Sequence, residues 1–270
     1  MKKIRKNNKT NHCYLPRKMH IKKYTKRFIE IDVLRGFAIL LMVTCHLLWD
    51  LDYYHIMPLN SAFYSFVQKI VPTLFFILVG MCLVIGTKKK EFKSIKEENT
   101  YYKNQIYRGL KIFGMGMIIT VGSLIFIPDR PVMFGVLHCI GLSIIISIPF
   151  LKIRNYNVLF SLIFIFSGMI LSQIAIAKPT ILHLAVGLHQ ESMWRYTVDY
   201  FPLLPWFGVC LLGILIGDWL YCGEERMFKI PDLSRYAPAK IISWLGQHSL
   251  GIYMIHQPLI AGAIILYGHL

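Results

Sequence analysis

The sequence is poor in charge and poorer still in acid. Only 16% of its 270 residues are Asp, Glu, Lys or Arg, and 14 acids stand against 30 bases. Its six cysteines form no C-x-x-C pair, and Cys45, Cys82, Cys139 and Cys210 fall within apolar runs. That placement argues against a disulfide framework and against a zinc site, and for free buried thiols. No internal repeat is evident, and no polar stretch is long enough for a separate soluble domain. Residues 1–27 lack the apolar core of a cleavable signal peptide; they are basic, contain Pro16 and read as a disordered or lipid-skimming cytoplasmic tail.

What the chain has in excess is apolar and aromatic side chain. At 55% hydrophobic and a mean hydropathy of +0.50, it carries more than one soluble core of this length needs. A net charge of +16 would suit nucleic acid in a soluble protein. Here the bases gather in the tail and in alternate loops, the pattern that orients a membrane chain, so no nucleic-acid partner is expected.

A crossing helix needs about 20 mostly apolar residues. Runs of that kind lie at 31–49, 61–87, 107–127, 132–151, 157–176, 202–221 and 247–268, which predicts about seven spans. If each crosses, the basic segments 2–27 and 88–111, Lys152 with Arg154, and Lys229, Arg235 and Lys240 all fall on one side. The positive-inside rule makes that side cytoplasmic. The expected fold is an all-α polytopic transmembrane bundle over residues 28–270, N-terminus inside and C-terminus outside, in a cell membrane. Segment 177–201 is expected to hold an interfacial helix with Ile181, Leu184, Ala185 and Leu188 on one face.

Ionisable groups inside such spans are costly and mark function by default. His46 lies near the outer end of the first predicted span, His138 near the outer end of the fourth, and His256 near the middle of the seventh, just before Pro258. Pro258 is expected to interrupt backbone bonding locally. The histidines can converge in the outer half of the bundle, with Asp50, Asp52, His55 and Asp199 at its mouth. Glu30, Asp32 and Arg35 sit at the opposite end, with Arg108 and Lys111. Each has a plainer reading: Asp32 and Arg35 can pair with each other, Lys69 can snorkel or pair with Asp50, and Gly114, Gly116 and Gly122 can serve helix packing.

The segments IDVLRGFAILLMVTCHLLWDLDYYH, FFILVGMCLVIG, FGVLHCIGLS, DYFPLLPWFGVCLLGILIG and LGQHSLGIYMIHQPL, in that order, resemble the catalytic domain family of heparan-alpha-glucosaminide N-acetyltransferase, most closely its short prokaryotic members. The opening D-x-x-R-G with a distal His is also similar to the wider set of transmembrane acyltransferases. The resemblance implies transfer of an acyl group, usually acetyl, from cytosolic acyl-CoA to an amine or hydroxyl of a sugar or glycolipid across the membrane. Acyl-CoA is then a co-substrate, and no permanently bound cofactor or metal is expected.

Arg35, Arg108 and Lys111 are the candidates for the coenzyme's phosphates. His46 is the first choice for the catalytic imidazole, as base or as acyl carrier, with His55 second and His138 in support. Asp50, four residues on from His46, would orient it. Asp199 and Trp206 are assigned to the acceptor, and His256 to the acyl channel. The chain lacks the large N-terminal region of the long family members, so heparan sulfate is not assumed as acceptor. Oligomeric assembly stays open. The rival reading is a proton-coupled or small-solute transporter using the same histidines, against which no second half mirrors the first.

Overall fold

The computed structural model describes residues 27–59, 61–90, 92–191, 193, 196–222 and 225–268. The basic tail therefore lies outside the described residues, apart from Arg27. Among those described, the chain forms α1 (Ile29–Tyr53), α2 (Ser61–Lys88), α3 (Ile95–Phe126), α4 (Val136–Phe150), α5 (Asn157–Leu171), α6 (Ile181–Val186), α7 (Leu203–Leu220), α8 (Ala237–Gln247) and α9 (Ser249–Gly268). Strands β1 (Tyr221–Cys222) and β2 (Glu225–Arg226) make one small antiparallel hairpin.

Every predicted apolar run becomes a helix. Five of them, α1, α2, α3, α7 and α9, are long and apolar enough to cross a membrane. The α4 and α5 helices are apolar but have 15 residues each. That is about 22 Å of rise, short of a hydrocarbon core about 30 Å thick. α4 starts late because the chain before it is extended: Phe134 bridges Tyr200, and the Phe201 N–H donates to the Phe134 carbonyl at 2.9 Å.

α3 starts early for a different reason. The Ser94 Oγ accepts from the Glu97 N–H at 3.2 Å, and the Glu97 carboxylate accepts from the Lys93 N–H at 2.9 Å. These reciprocal bonds satisfy first-turn donors and extend the helix into a polar stretch that hydropathy leaves out. α9 runs on through Pro258 as one helix: the proline removes one backbone donor, the local interruption of bonding that was expected, without ending the helix.

Helix contact rests on close backbone approach, since lipid offers no hydrophobic drive between spans. α2 and α5 both pack along α7, α1 packs on α8, and α3 on α4. Where α2 crosses α7, a Cβ on Gly80 would run into the Cys210 carbonyl, and one on Gly213 into the Ile77 carbonyl. Of the glycines expected to serve packing, only Gly116 does, against the His138 ring. Gly114 and Gly122 have nothing within 4 Å. The α6 helix occurs where an interfacial helix was expected, yet only Leu184 and Ala185 are buried and Ile181 is 67% exposed. Gly187, at φ 117°, ends the helix before Leu188 can join its face.

Charges at the basic end of the bundle are locked together. Glu30 takes the Arg226 guanidinium in a two-pronged pair at 2.7 and 2.8 Å and a hydrogen bond from the Tyr221 hydroxyl at 3.1 Å. Lys88 pairs with Asp218 at 2.8 Å and donates to the Asp218 and Tyr221 carbonyls, closing the end of α7. Lys152 reaches Glu98 at 3.1 Å, joining the end of α4 to the start of α3. These links put the start of α1, the end of α2 and the end of α7 together, as alternating antiparallel helices require.

The expectation of free buried thiols holds for Cys139 and Cys210, and Cys45 and Cys82 are free but half-buried. It fails at Cys222, which is disulfide-bonded. The argument for free thiols rested on burial in apolar runs, and Cys222 lies beyond α7.

Removing one partner of the Glu30 to Arg226 pair strands a buried charge, a loss of about 3–5 kcal/mol. Arg226→Leu is expected to lower the Tm of the purified protein sharply, and adding Glu30→Gln to recover part of the loss. An unchanged Tm in the single variant would show the pair to be dispensable.

Candidate functional site

Two histidines meet at the far end of the α1 and α9 pair. The His46 and His256 rings lie 4.8 Å apart, centroid to centroid, tilted by 59°. His256 is 7% exposed, and its Nδ1 lies 2.7 Å from the Tyr253 carbonyl. A carbonyl only accepts, so Nδ1 carries the hydrogen and neutral His256 keeps its lone pair on Nε2. That Nε2 is buried and has no hydrogen-bond partner among the described residues.

Asp50 lies one turn beyond His46 and is 3% exposed. Its two carboxylate oxygens accept from the Gln257 amide, each at 3.0 Å. The partner of Asp50 is thus a neutral amide, and Lys69, offered as an alternative partner, stands exposed on α2. The Gln257 Oε1 is itself buried and unpartnered. The structure therefore gathers His46, Asp50, His256 and Gln257 at one place.

Asp199 joins them through Tyr253. Its Oδ2 accepts from the Val136 N–H at 3.2 Å and from the Tyr253 hydroxyl at 3.4 Å. Burial pushes the Asp199 carboxyl up to about 6, against the two hydrogen bonds, which pull it down. Since the Val136 N–H opens α4, the carboxylate also sits at a helix N-terminus. Tyr253 thus holds Asp199 by its hydroxyl and His256 by its carbonyl.

His138 stands apart from this group. Its Nδ1 accepts from the Gly135 N–H at 3.1 Å, and its Nε2 faces the Thr120 hydroxyl at 3.5 Å. Its ring stacks on Phe134 and meets Phe113 edge-on. It caps α4 with both nitrogens engaged, in the opposite tautomer to His256. His55 is exposed just past the end of α1, at φ 58°, nine residues beyond His46. Trp206 packs between Phe76 and Phe201, with centroids at 5.3 and 5.2 Å.

At the basic end, Arg35 donates to Asp32 at 2.9 Å and to the Cys82 sulfur at 3.0 Å, with the Gly246 carbonyl at 3.5 Å. The Asp32 to Arg35 pairing weighed from the sequence is thus present, with about a quarter of the arginine side chain still exposed. Arg108 and Lys111 are exposed on α3. α3 packs on α4, whereas α1 packs on α2, α8 and α9. Arg35 and the Arg108 and Lys111 pair therefore belong to different helix pairs. Sequence reasoning passed over Gln257 and Tyr253, although both lie within one turn of His256 in Y-M-I-H-Q-P and are polar residues inside a span.

The bundle, with five helices of membrane length, thus holds two paired imidazoles and the buried Asp50 carboxylate at one end and cations at the other. The family model for "Heparan-alpha-glucosaminide N-acetyltransferase, catalytic" matches residues 27–258. The chain belongs to that family, which makes it a membrane acetyltransferase in general terms. No curated protein and no solved structure matches it.

Asp199 generates a pH prediction. Its folded value, about 6, is raised above the ordinary 3.8, so between these values the folded state holds the proton more tightly. Its contribution to stability is fully present below about pH 4 and is lost as pH rises through about 6. The Tm of the wild type minus that of Asp199→Asn is expected to fall across this window and level off above pH 7. A difference that stays constant with pH would remove Asp199 as a buried proton holder.

Proposed function

We propose that the protein transfers an acyl group, acetyl in the first instance, from cytosolic acyl-CoA to an amine or hydroxyl of an extracytoplasmic glycan or glycolipid. In this reading seven helices cross a cell membrane with the N-terminus inside, α4 and α5 being short spans within a locally thin or protein-lined layer. The cationic end faces the cytosol, where Arg35, Arg108 and Lys111 offer charge to the coenzyme's phosphates. The His46 and His256 pair faces the other side.

One observation carries the reading: an unpartnered imidazole nitrogen, in fixed tautomer, inside an apolar bundle. A buried polar atom without a partner costs about 1–3 kcal/mol, and a substrate proton would remove that cost. His256 Nε2 takes the proton of the acceptor's hydroxyl or ammonium group as its oxygen or nitrogen attacks the thioester carbon. A C–O or C–N bond forms, the C–S bond breaks, and the coenzyme sulfur leaves as thiolate and takes a proton. His46, whose ring centroid lies 4.8 Å from that of His256, passes that proton on or binds the acceptor. Attack by an imidazole on the thioester, with an acyl-imidazole intermediate, uses the same atoms. Asp50, clamped by Gln257, orients the pair, and Asp199 with Tyr253 receives the acceptor's polar groups beside Trp206. His138 supports the site as a cap, and His55 stands at its mouth.

Titration of the purified protein with acetyl-CoA, and with CoA as control, is expected to raise its Tm saturably, because a ligand of the native state stabilises it. No shift at millimolar ligand with folded protein would sink the coenzyme site. A response to a solute and a pH gradient would then put the transporter reading in its place.

His256→Ala is expected to keep the CoA-dependent Tm shift while losing about 10²–10⁴ in kcat toward an amino-sugar acceptor. Wild-type turnover in that variant, with loss in His46→Ala, would move the base to His46.

A further inference from the structure

The inward seam of α1 does not stop at its histidine. Ile39, Met42, His46, Trp49 and Tyr53 follow one another at spacings of three and four, so they share one face of the helix. Ile39 and Met42 lie in the core at 1% and 6% exposed, and His46 packs on His256. Farther along the same face the cover runs out: Trp49 is half-buried and Tyr53 is 54% exposed. The exposed apolar residues of α1, Phe37, Leu40 and Leu47, lie on the other side of the helix, and lipid tails belong against them. Trp49 and Tyr53 stand instead above the seam that leads down to the paired imidazoles.

These two rings stack, with centroids 5.2 Å apart and planes 15° from parallel, and Tyr54 meets Tyr53 edge-on at 5.3 Å. With 25 residues α1 rises about 37 Å, more than a hydrocarbon core about 30 Å thick, so its last turn reaches the polar layer. The turn that follows is pinned. His55 takes φ 58°, the Ile56 N–H donates to the Leu51 carbonyl at 2.9 Å, and the Leu59 N–H donates to the Asp52 carboxylate at 3.0 Å. Asp52 and His55, both exposed, lie within two residues of Tyr53. An aromatic stack with a carboxylate and an imidazole at its edge suits a sugar. A pyranose ring has an apolar face of weakly positive C–H groups, which matches the negative face of an aromatic ring. Its hydroxyls point outward around the rim, where Asp52 can accept from them and His55 can donate or accept.

Resting on the transfer to a glycan proposed above, we infer that Trp49 and Tyr53 form a docking surface for the acceptor and hold the sugar ring next to the one that is acylated. The site then takes a linked glycan in preference to a single sugar. From His46 to Tyr53 is about 10 Å of rise, so a ring on the aromatics and its neighbour at the imidazoles can belong to one chain. Trp49 and Tyr53 are positioning residues; neither reaches the reacting atoms.

The test uses the full chain in lipid nanodiscs, acetyl-CoA as donor, and glucosamine or its β-linked di- and trisaccharides as acceptors. Stacking on the pair is expected to raise kcat/KM by about tenfold from glucosamine to the disaccharide, chiefly through KM. Trp49→Ala and Tyr53→Ala should each bring that ratio close to unity, while Trp49→Phe and Tyr53→Phe, which keep a ring, should restore most of it. Because the ratio is taken within each variant, a general loss of folded protein cancels. In the absence of donor, the trisaccharide is expected to quench tryptophan fluorescence in the wild type and not in Trp49→Phe.

A wild-type ratio close to unity, with glucosamine still acylated, would overturn the inference and leave the acyl transfer standing. So would a ratio that both Ala variants leave unchanged, since the rings would then be headgroup anchors only. Quenching by the trisaccharide without acylation of any acceptor would sink the transfer and keep the sugar surface. Absence of quenching and of acylation, together with no Tm shift by CoA, would overturn both.

Discussion

In an apolar bundle the governing constraint is that a polar atom must find a partner, because no water is at hand to supply one. Most of this protein's buried polar groups obey it in ways that hold helices together. Glu30 and Arg226 tie the start of α1 to the hairpin after α7, and Lys88 ties the end of α2 to the end of α7. His138 obeys it twice over, with one nitrogen on the Gly135 N–H and the other toward Thr120. His256 obeys it at Nδ1 and not at Nε2. Other buried atoms are also unpaired, among them Asn157 Oδ1, Ser161 Oγ and Gln105 Oε1. Among the described residues, His256 and Gln257 on α9 carry such atoms in side chains that meet a second imidazole and a buried carboxylate.

The packing explains why His256 and Asp199 lie where they do. One apolar core is built on α2, α4, α5 and α7, with backbones in close contact. A smaller one forms where α1 meets α2, around Ile39, Met42, Val67 and Val71. Tyr253 packs against both. It lies on the seam between them, and from there its hydroxyl reaches Asp199 and its carbonyl reaches His256. A seam between two separately packed bodies can admit a substrate without opening either core, and its polar groups can stay poised while the cores remain dense.

Much of the scaffold was legible in the sequence, and the reasons are physical. Seven apolar runs predict seven helices because hydropathy and helical span length are coupled in a membrane. Hydropathy could not find α8, whose 11 residues A-P-A-K-I-I-S-W-L-G-Q are short and two-faced. Nor could it see the polar first third of α3, which depends on a local cap at Ser94. Ionisable residues in apolar runs pointed to His46 and His256, and these do meet, while Asp50, expected at the mouth of the bundle, lies buried against Gln257. The same rule also pointed to His138, because a rule about cost cannot tell a histidine satisfied by its own helix end from one left open. Gln257 escaped notice because an amide carries no charge to flag it, yet it is what holds Asp50.

The contrast between His138 and His256 shows how backbone geometry assigns chemistry to identical side chains. At His138 the backbone presents an N–H, from Gly135 in the extended segment before α4. A donor takes up the Nδ1 lone pair, and the remaining nitrogen can only donate. At His256 the backbone presents a carbonyl, from Tyr253 within α9, and the lone pair is left on the nitrogen facing away. One imidazole is thereby left with a nitrogen that can only donate, the other with a free acceptor lone pair. A carbonyl within α9 offered to the ring of the same helix sets that choice firmly, because it does not depend on the packing of a second helix. What α1 then adds, through His46 against the ring and through Asp50 on Gln257, is position: it bounds the space around that free nitrogen.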